Sequence, residues 1–120
     1  MAIRLKRVYA PAAPADGARV LVDRLWPRGL SREKARLTLW LKEIAPSPAL
    51  REWFGHDPAR YAAFTRRYRA ELAAAAAALA PLEALARQGD VTLLYAARDE
   101  AHNQARVLAD YLRERRGEEE

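Results

Sequence analysis

A chain of 120 residues, 51% of them hydrophobic, is long enough to bury one core without covalent staples. It contains no cysteine, which excludes a disulfide frame, a thiolate nucleophile and a cysteine-based zinc site, and its two histidines, His56 and His102, are too few for a zinc centre without carboxylates. The formal charge of +5 is uneven: residues 1–43 hold ten Lys or Arg against four Asp or Glu, and the remainder eleven against twelve.

Ile3, Leu5 and Val8 alternate imperfectly with Arg4, Lys6 and Arg7, which predicts a first strand over residues 3–9. Pro11, Pro14 and Asp16-Gly17 make residues 10–18 a loop that ends in a turn. A second strand follows at 19–23, and its consecutive apolar residues Val20, Leu21 and Val22 suit a strand covered on both faces. After the corner Trp26-Pro27-Arg28-Gly29, Ser31 is placed to cap a short helical turn reaching Arg36. Residues 37–41 read either as a third strand or as the start of a helix, and Pro46 closes either version.

Ser47-Pro48 opens a helix that Gly55 stops after Phe54. Asp57-Pro58 repeats the device at the head of the longest helix. There Tyr61, Phe64, Tyr68 and Leu72 recur at spacings of three and four, a buried stripe, while Arg60, Arg66, Arg67 and Arg69 face elsewhere. The alanine-rich run 73–80 favours helix, Pro81 breaks or restarts it, and a further helix over 82–87 ends at Gly89. Residues 91–95, VTLLY, are the clearest strand. Asp99 is expected to cap a last helix that turns Ala105, Leu108, Ala109 and Leu112 inward and carries His102 and Asn103 in its first turn.

Strands and helices intermixed in this order predict an α/β fold. The expectation is a single domain over residues 1–116, with a mostly parallel sheet of about four strands flanked by helices in a Rossmann-like layering, and a charged tail at 117–120. No run approaches the ~20 apolar residues of a membrane span, and the N-terminus lacks the apolar centre of a secretory signal, so the expected address is the cytoplasm.

In open parallel sheets ligands sit outside the carboxyl ends of the strands. That rule puts Asp23-Arg24 and Arg98-Asp99 on one rim with His102 and Asn103, joined by Lys42 if the third strand forms. Asp23 is the candidate acid, base or nucleophile, and His102 is the second catalytic candidate, a neutral imidazole that orients a bound group. Arg24, Arg28, Lys42 and Arg98 are the candidate clamp for an anion, because guanidinium forks match phosphate and carboxylate. Asn103 is a candidate orienting donor, and Trp26 is the one indole set among arginines where a ligand would meet it. Each has a duller counterpart: an ion pair closing the sheet at Asp23, a structural histidine, and plain packing for Trp40 and Trp53. No metal and no cofactor are expected. The absence of GxGxxG, GxxxxGK[ST] and GxSxG disfavours dinucleotide oxidoreductases, P-loop enzymes and ordinary serine hydrolases.

The blocks RLKRVY, RVLVDRLWPRGLS, LWLKEIAPS, LREWFGHDP and TLLYAARDEAHNQA follow one another in an order that resembles the YeaO-like family of small, uncharacterised bacterial proteins, from about Ile3 to Leu112. The resemblance implies membership of a wider superfamily, a domain of unknown function, whose other branches carry a DxR-like element after an early strand and a cysteine-histidine-arginine element after a late one. Asp23-Arg24 aligns with the first, though with a different arginine spacing. Ala101-His102-Asn103 stands at the second, so only the histidine matches and thiol chemistry does not carry over. Some members are labelled as transcription regulators.

Two functional classes follow, with a third behind them. The leading one is a small anionic ligand, a nucleotide or other phosphorylated compound, bound at the rim, with catalysis left open. The alternative is non-catalytic binding of DNA or RNA by an N-terminal basic face of Arg4, Lys6, Arg7, Arg19, Arg32 and Arg36. The third is a scaffold or partner-binding subunit without a small ligand.

Overall fold

The structure, a computed structural model, describes residues 2–117. Strands β1 (Ile3–Arg7), β2 (Ala18–Leu21), β3 (Leu39–Trp40) and β4 (Val91–Tyr95) form an all-parallel sheet in the order β1-β4-β2-β3. The strand latest in the chain is therefore central. All five of its residues are buried, as a continuous apolar run in an inner strand requires. It sets Val91 against both Ile3 and Ala18, and Leu94 against both Lys6 and Leu21.

Five helices complete the fold: α1 (Arg32–Ala35), α2 (Pro48–Phe54), α3 (Tyr61–Ala74), α4 (Ala80–Gln88) and α5 (Gln104–Arg115). The four longer ones cover one face of the sheet. There Val20, Val22, Val91, Leu93 and Tyr95 join Phe54, Phe64, Tyr68, Leu72, Leu108 and Leu112 in the main core. The stripe on α3 is the one its spacing predicts, with Phe64, Tyr68 and Leu72 buried. Phe64 stacks on Phe54 and Tyr68 with ring centroids 4.3 and 5.7 Å away. The expected caps form at Ser31 and Ser47, which accept the backbone N–H groups of Lys34 and Leu50; Asp57 accepts that of Ala59 but caps a 3-10 turn, Pro58–Arg60, that precedes α3, and the alanine-rich run leaves the helix for another 3-10 turn at Ala76–Leu79. Pro81 lies in the first turn of α4, where its missing N–H costs nothing, so it restarts the helix.

The opposite face is roofed mainly by the two connections that follow β1 and β2. Val8, Leu21 and Leu94 form a second, smaller cluster under Trp26, Leu30, Leu37, Trp40 and Ala96. Farther along the same face, Lys6 and Arg19 reach the Asp16 carboxylate at 2.8 and 2.5 Å, and the Thr92 hydroxyl donates to the Asp16 carbonyl at 2.8 Å. Asp16 and Arg19 are each only 5% exposed. Burial by itself would raise the Asp16 pKa, but hydrogen bonds from Lys6, the Ala13 N–H and Arg19 hold it down at about 2. The Arg19 guanidinium also donates to the Ala35 carbonyl, at 3.1 and 2.9 Å, which fastens α1 to the sheet. Beside this cluster Gly17 has φ +64, and a Cβ there would stand 2.2 Å from the Asp90 carbonyl oxygen. Only glycine fits so close an approach in that conformation.

Two further elements differ from the sequence reading. The third strand forms, but only at Leu39–Trp40, because the chain enters a 3-10 turn at Lys42–Ile44 directly after it. The last helix begins later than expected, and Asn103 caps it: its side-chain oxygen accepts the Arg106 N–H at 3.1 Å. Asp99 instead spends its carboxylate on the N–H groups of Ala101 and His102, a separate turn that delays the helix. His102 and Asn103 therefore precede α5. Beyond Gly117, the tail expected at 117–120 lies outside the described residues. Among the described residues, no helix is long and apolar enough to cross a membrane.

Candidate functional site

Because β2 and β4 are neighbours, the segments that leave them share the carboxyl rim of the sheet. The Val22 N–H still bonds the Leu94 carbonyl at 3.1 Å. One residue later the Asp23 carboxylate accepts the Ala96 N–H at 3.0 Å with one oxygen and the Gln104 side-chain amide with the other. Asp23 thus ties the end of β2 to the chain leaving β4 and to the first residue of α5. Burial pushes its pKa up to about 6, against the lowering influence of the hydrogen bonds from Ala96 and Gln104 and of the nearby Arg51 and His56 side chains.

His102 stands on the same rim. Its Nδ1 lies 2.9 Å from an Asp99 carboxylate oxygen, which orients the ring and leaves Nε2 without a hydrogen bond among the described residues; the same bond holds the Asp99 carboxyl below its ordinary value. The Tyr61 ring meets His102 edge-on, centroids 5.1 Å apart, and its hydroxyl donates to the Asn103 carbonyl at 2.9 Å. From this point a groove of about 800 Å³ runs between α3 and α5, with Tyr61, Thr65 and Arg69 on one wall and His102, Arg106 and Val107 among the residues opposite. Ion pairs Arg69–Glu114 and Arg113–Asp110 occupy its far end. Arg106 is exposed, and among the described residues its guanidinium makes no hydrogen bond or ion pair. It is the arginine of the groove without such a partner among the described residues.

The other predicted site residues are placed elsewhere. The Arg24 guanidinium donates to the Ala45 and Pro46 carbonyls at 3.1 and 3.3 Å, pinning the segment that leads into α2. Trp26 and Trp40 donate their indole N–H groups to the Leu30 and Asp23 carbonyls, both at 2.7 Å, and pack edge to face with centroids 5.4 Å apart. The Lys42 ammonium lies 4.7 Å over the Trp40 ring. Arg28 is exposed, and its carbonyl accepts the Tyr9 hydroxyl. Trp26, Arg28 and Lys42 therefore gather on the face away from the long helices, while Asp23, His102 and Asn103 stay on the rim. Arg98 is exposed in the loop between β4 and α5.

Four of the six cations of the expected basic face are used inside the fold. Arg4 binds Asp90 and the Ala15 carbonyl, Lys6 and Arg19 bind Asp16, and Arg7 donates to the Ala96 and Ala97 carbonyls. The sequence reading omits Gln104, Arg51 and His56 from the rim. The run His102-Asn103-Gln104 carries a signal for Gln104 once the start of α5 is known. His56 follows Gly55 with φ +58 and sets its ring 6.1 Å from Phe54, a placement that no local pattern announces. Among the described residues no three His, Asp or Glu side chains gather to hold a metal ion.

Residues 2–120 match a family model described as the inactive DUF488-N3 subclade. The chain is 47% identical over 113 residues to the uncharacterized protein YeaO of Escherichia coli, covering 94% of this chain and 98% of that protein. It is also 46% identical over 110 residues to uncharacterized proteins of Mycobacterium tuberculosis and Mycobacterium bovis, covering 92% of the chain in each pair and 92% of each relative. No solved structure matches the chain.

Proposed function

Starting from the fact that this chain belongs to the YeaO-like DUF488 family, in a subclade described as inactive, we propose that it is a receptor for a small anionic ligand, a nucleotide or other phosphorylated compound, and not an enzyme. The observation that carries this reading is the groove at the head of α3 and α5, where Arg106, Thr65 and the oriented His102 ring line one cavity of about 800 Å³. Its size is that of a ligand pocket. Arg106 supplies an unspent fork for a phosphate, the Thr65 hydroxyl supplies a hydrogen bond, His102 Nε2, with Nδ1 donating to Asp99, accepts one from a hydroxyl or N–H of the ligand, and Arg98 adds charge from the neighbouring loop. Asn103 fixes the start of α5 and so the position of Arg106.

Asp23 supports the site from beneath. Each of its oxygens accepts a hydrogen bond, one from Ala96 and the other from Gln104, and in this reading its role is to hold α5 in place. The description of the subclade as inactive points the same way. A nucleic-acid site built on Arg4, Lys6, Arg7 and Arg19 lacks comparable support, since all four side chains serve internal contacts.

The test is a thermal-shift series with inorganic phosphate, nucleoside monophosphates and sugar phosphates, on the protein and its Arg106→Ala variant, at low and high salt. A compound at 100 times its Kd adds about 2.7 kcal/mol of stability. A salt-tolerant rise that Arg106→Ala loses is the expected result. No rise with any of these anions, or an equal rise in the variant, refutes the proposal, and turnover of the bound compound would make the protein an enzyme after all.

A further inference from the structure

The corner that follows β2 lies on the face of the sheet away from the groove. Among the described residues two large hydrophobic side chains are exposed, Leu25 at 59% and Tyr9 at 43%. Both belong to this corner: Leu25 precedes Trp26, and the Tyr9 hydroxyl donates to the Arg28 carbonyl at 2.9 Å. Exposed apolar surface set beside a packed aromatic pair is a mark of an interface.

The surroundings are cationic. Between Arg24 and Lys42 the chain carries six Lys or Arg and one acid, Glu33. Arg32 lies 4.8 Å over the Trp26 ring, Lys42 lies 4.7 Å over Trp40, and Arg7 lies 5.1 Å over Tyr9. Arg28 is exposed, and among the described residues its side chain makes no hydrogen bond, ion pair or ring contact. Of the six cations, Arg24 is the one turned inward, to the Ala45 and Pro46 carbonyls.

We propose that this corner docks an acidic segment of a partner protein bearing an apolar side chain, with Leu25 and Tyr9 as the apolar contacts and Arg28, Arg32 and Lys42 as the charged rim. A single-stranded nucleic acid fits less well, because base stacking needs open aromatic faces. Here the two indoles pack on each other, carry cations over their rings and spend their N–H groups on carbonyls, and Leu25 gains nothing from a phosphodiester chain. A second copy docking through the same corner would set like charges against one another.

Fluorescence anisotropy tests this with three labelled probes: a peptide alternating Glu and Leu, an all-Glu peptide of equal length, and a short oligothymidine. Leu25→Ser and Arg28→Glu alter exposed side chains, and circular dichroism with melting curves checks that both variants fold. The Glu-Leu peptide is expected to bind tightest, Leu25→Ser to bring it to the level of the all-Glu peptide, and Arg28→Glu to weaken both peptides about tenfold. Absence of Glu-Leu peptide binding overturns the proposal, as does equal binding by Leu25→Ser, or oligothymidine binding that is tightest and indifferent to Leu25. Arg106→Ala is expected to leave peptide binding unchanged, which separates this surface from the groove.

Discussion

Replacing Asp23 with Asn isolates the electrostatics at the rim. The folded carboxyl keeps its proton up to about pH 6, whereas the unfolded one loses it near its ordinary 3.8. Between these values the folded state binds more protons, so the contribution of this group to stability is fully present below 3.8 and is lost as the pH rises through about 6. At about 1.36 kcal/mol per pH unit, holding Asp23 ionised in the fold costs about 2 to 3 kcal/mol at neutral pH. Asn removes that cost and keeps the geometry. Its side-chain oxygen still accepts the Ala96 N–H, and the Gln104 amide turns over to offer its own oxygen to the new NH₂. Thermal and urea unfolding of both proteins at about pH 4 and about pH 7 should therefore show Asp23→Asn more stable by about 2 kcal/mol, or roughly 8 °C, at the higher pH and nearly equal at the lower. A variant less stable than the parent at neutral pH, or one with the same gain in acid, would refute the reasoning, because either result means that burial of the charge is not what raises the pKa.

The opposite sign holds on the other face. Asp16 titrates at about 2 in the fold against 3.8 unfolded, so its contribution is present above 3.8 and is lost as the pH falls through about 2. Asp16→Ala leaves the Arg19 charge buried with only the Ala35 carbonyl for company, and urea unfolding at neutral pH is expected to show a loss of about 3 kcal/mol. The two carboxylates pull in opposite directions, so their joint contribution is greatest near pH 4, which a pH series of melting temperatures reads directly. Gly17→Ala forces a Cβ to 2.2 Å from the Asp90 carbonyl at φ +64. A loss of about 2 kcal/mol or more is expected from the same unfolding measurements, and a neutral result would mean that the turn relaxes freely.

What was legible in the sequence was local. The run VTLLY, the caps at Ser31 and Ser47, and the stripe Phe64, Tyr68 and Leu72 each depend on neighbours within a few residues, and each forms as the spacing requires. The start of α5 was read too early because Asp99 and Asn103 are both good caps, and only the pairing of Asp99 with the Ala101 and His102 N–H groups decides between them. Strand order is not local. The register that sets Val91 between Ile3 and Ala18 joins residues more than seventy positions apart, and nothing in the letters fixes it. Basic side chains mislead for a related reason: Arg4, Lys6, Arg7 and Arg19 look like a solvated face until the carbonyls and carboxylates they reach are known.

The stretch from Val20 to Ser31 stands out in the sequence because it serves both surfaces, and Asp23 is the residue where they meet. Its carboxylate holds Gln104 at the head of α5, which positions Arg106, while its carbonyl holds the Trp40 indole that packs on Trp26. Adjacent residues of an extended chain point apart. Arg24 accordingly leaves this junction for the Ala45 and Pro46 carbonyls, so the adjacent acid and guanidinium, placed on one rim in the sequence as a candidate reacting group and a candidate anion clamp, form two separate fastenings in the fold. A carboxylate that is costly at neutral pH has a structural role at this position. Its value lies in geometry: a short acidic side chain, taking two donors from different elements, fixes how the helical layer sits against the sheet exactly where the groove opens.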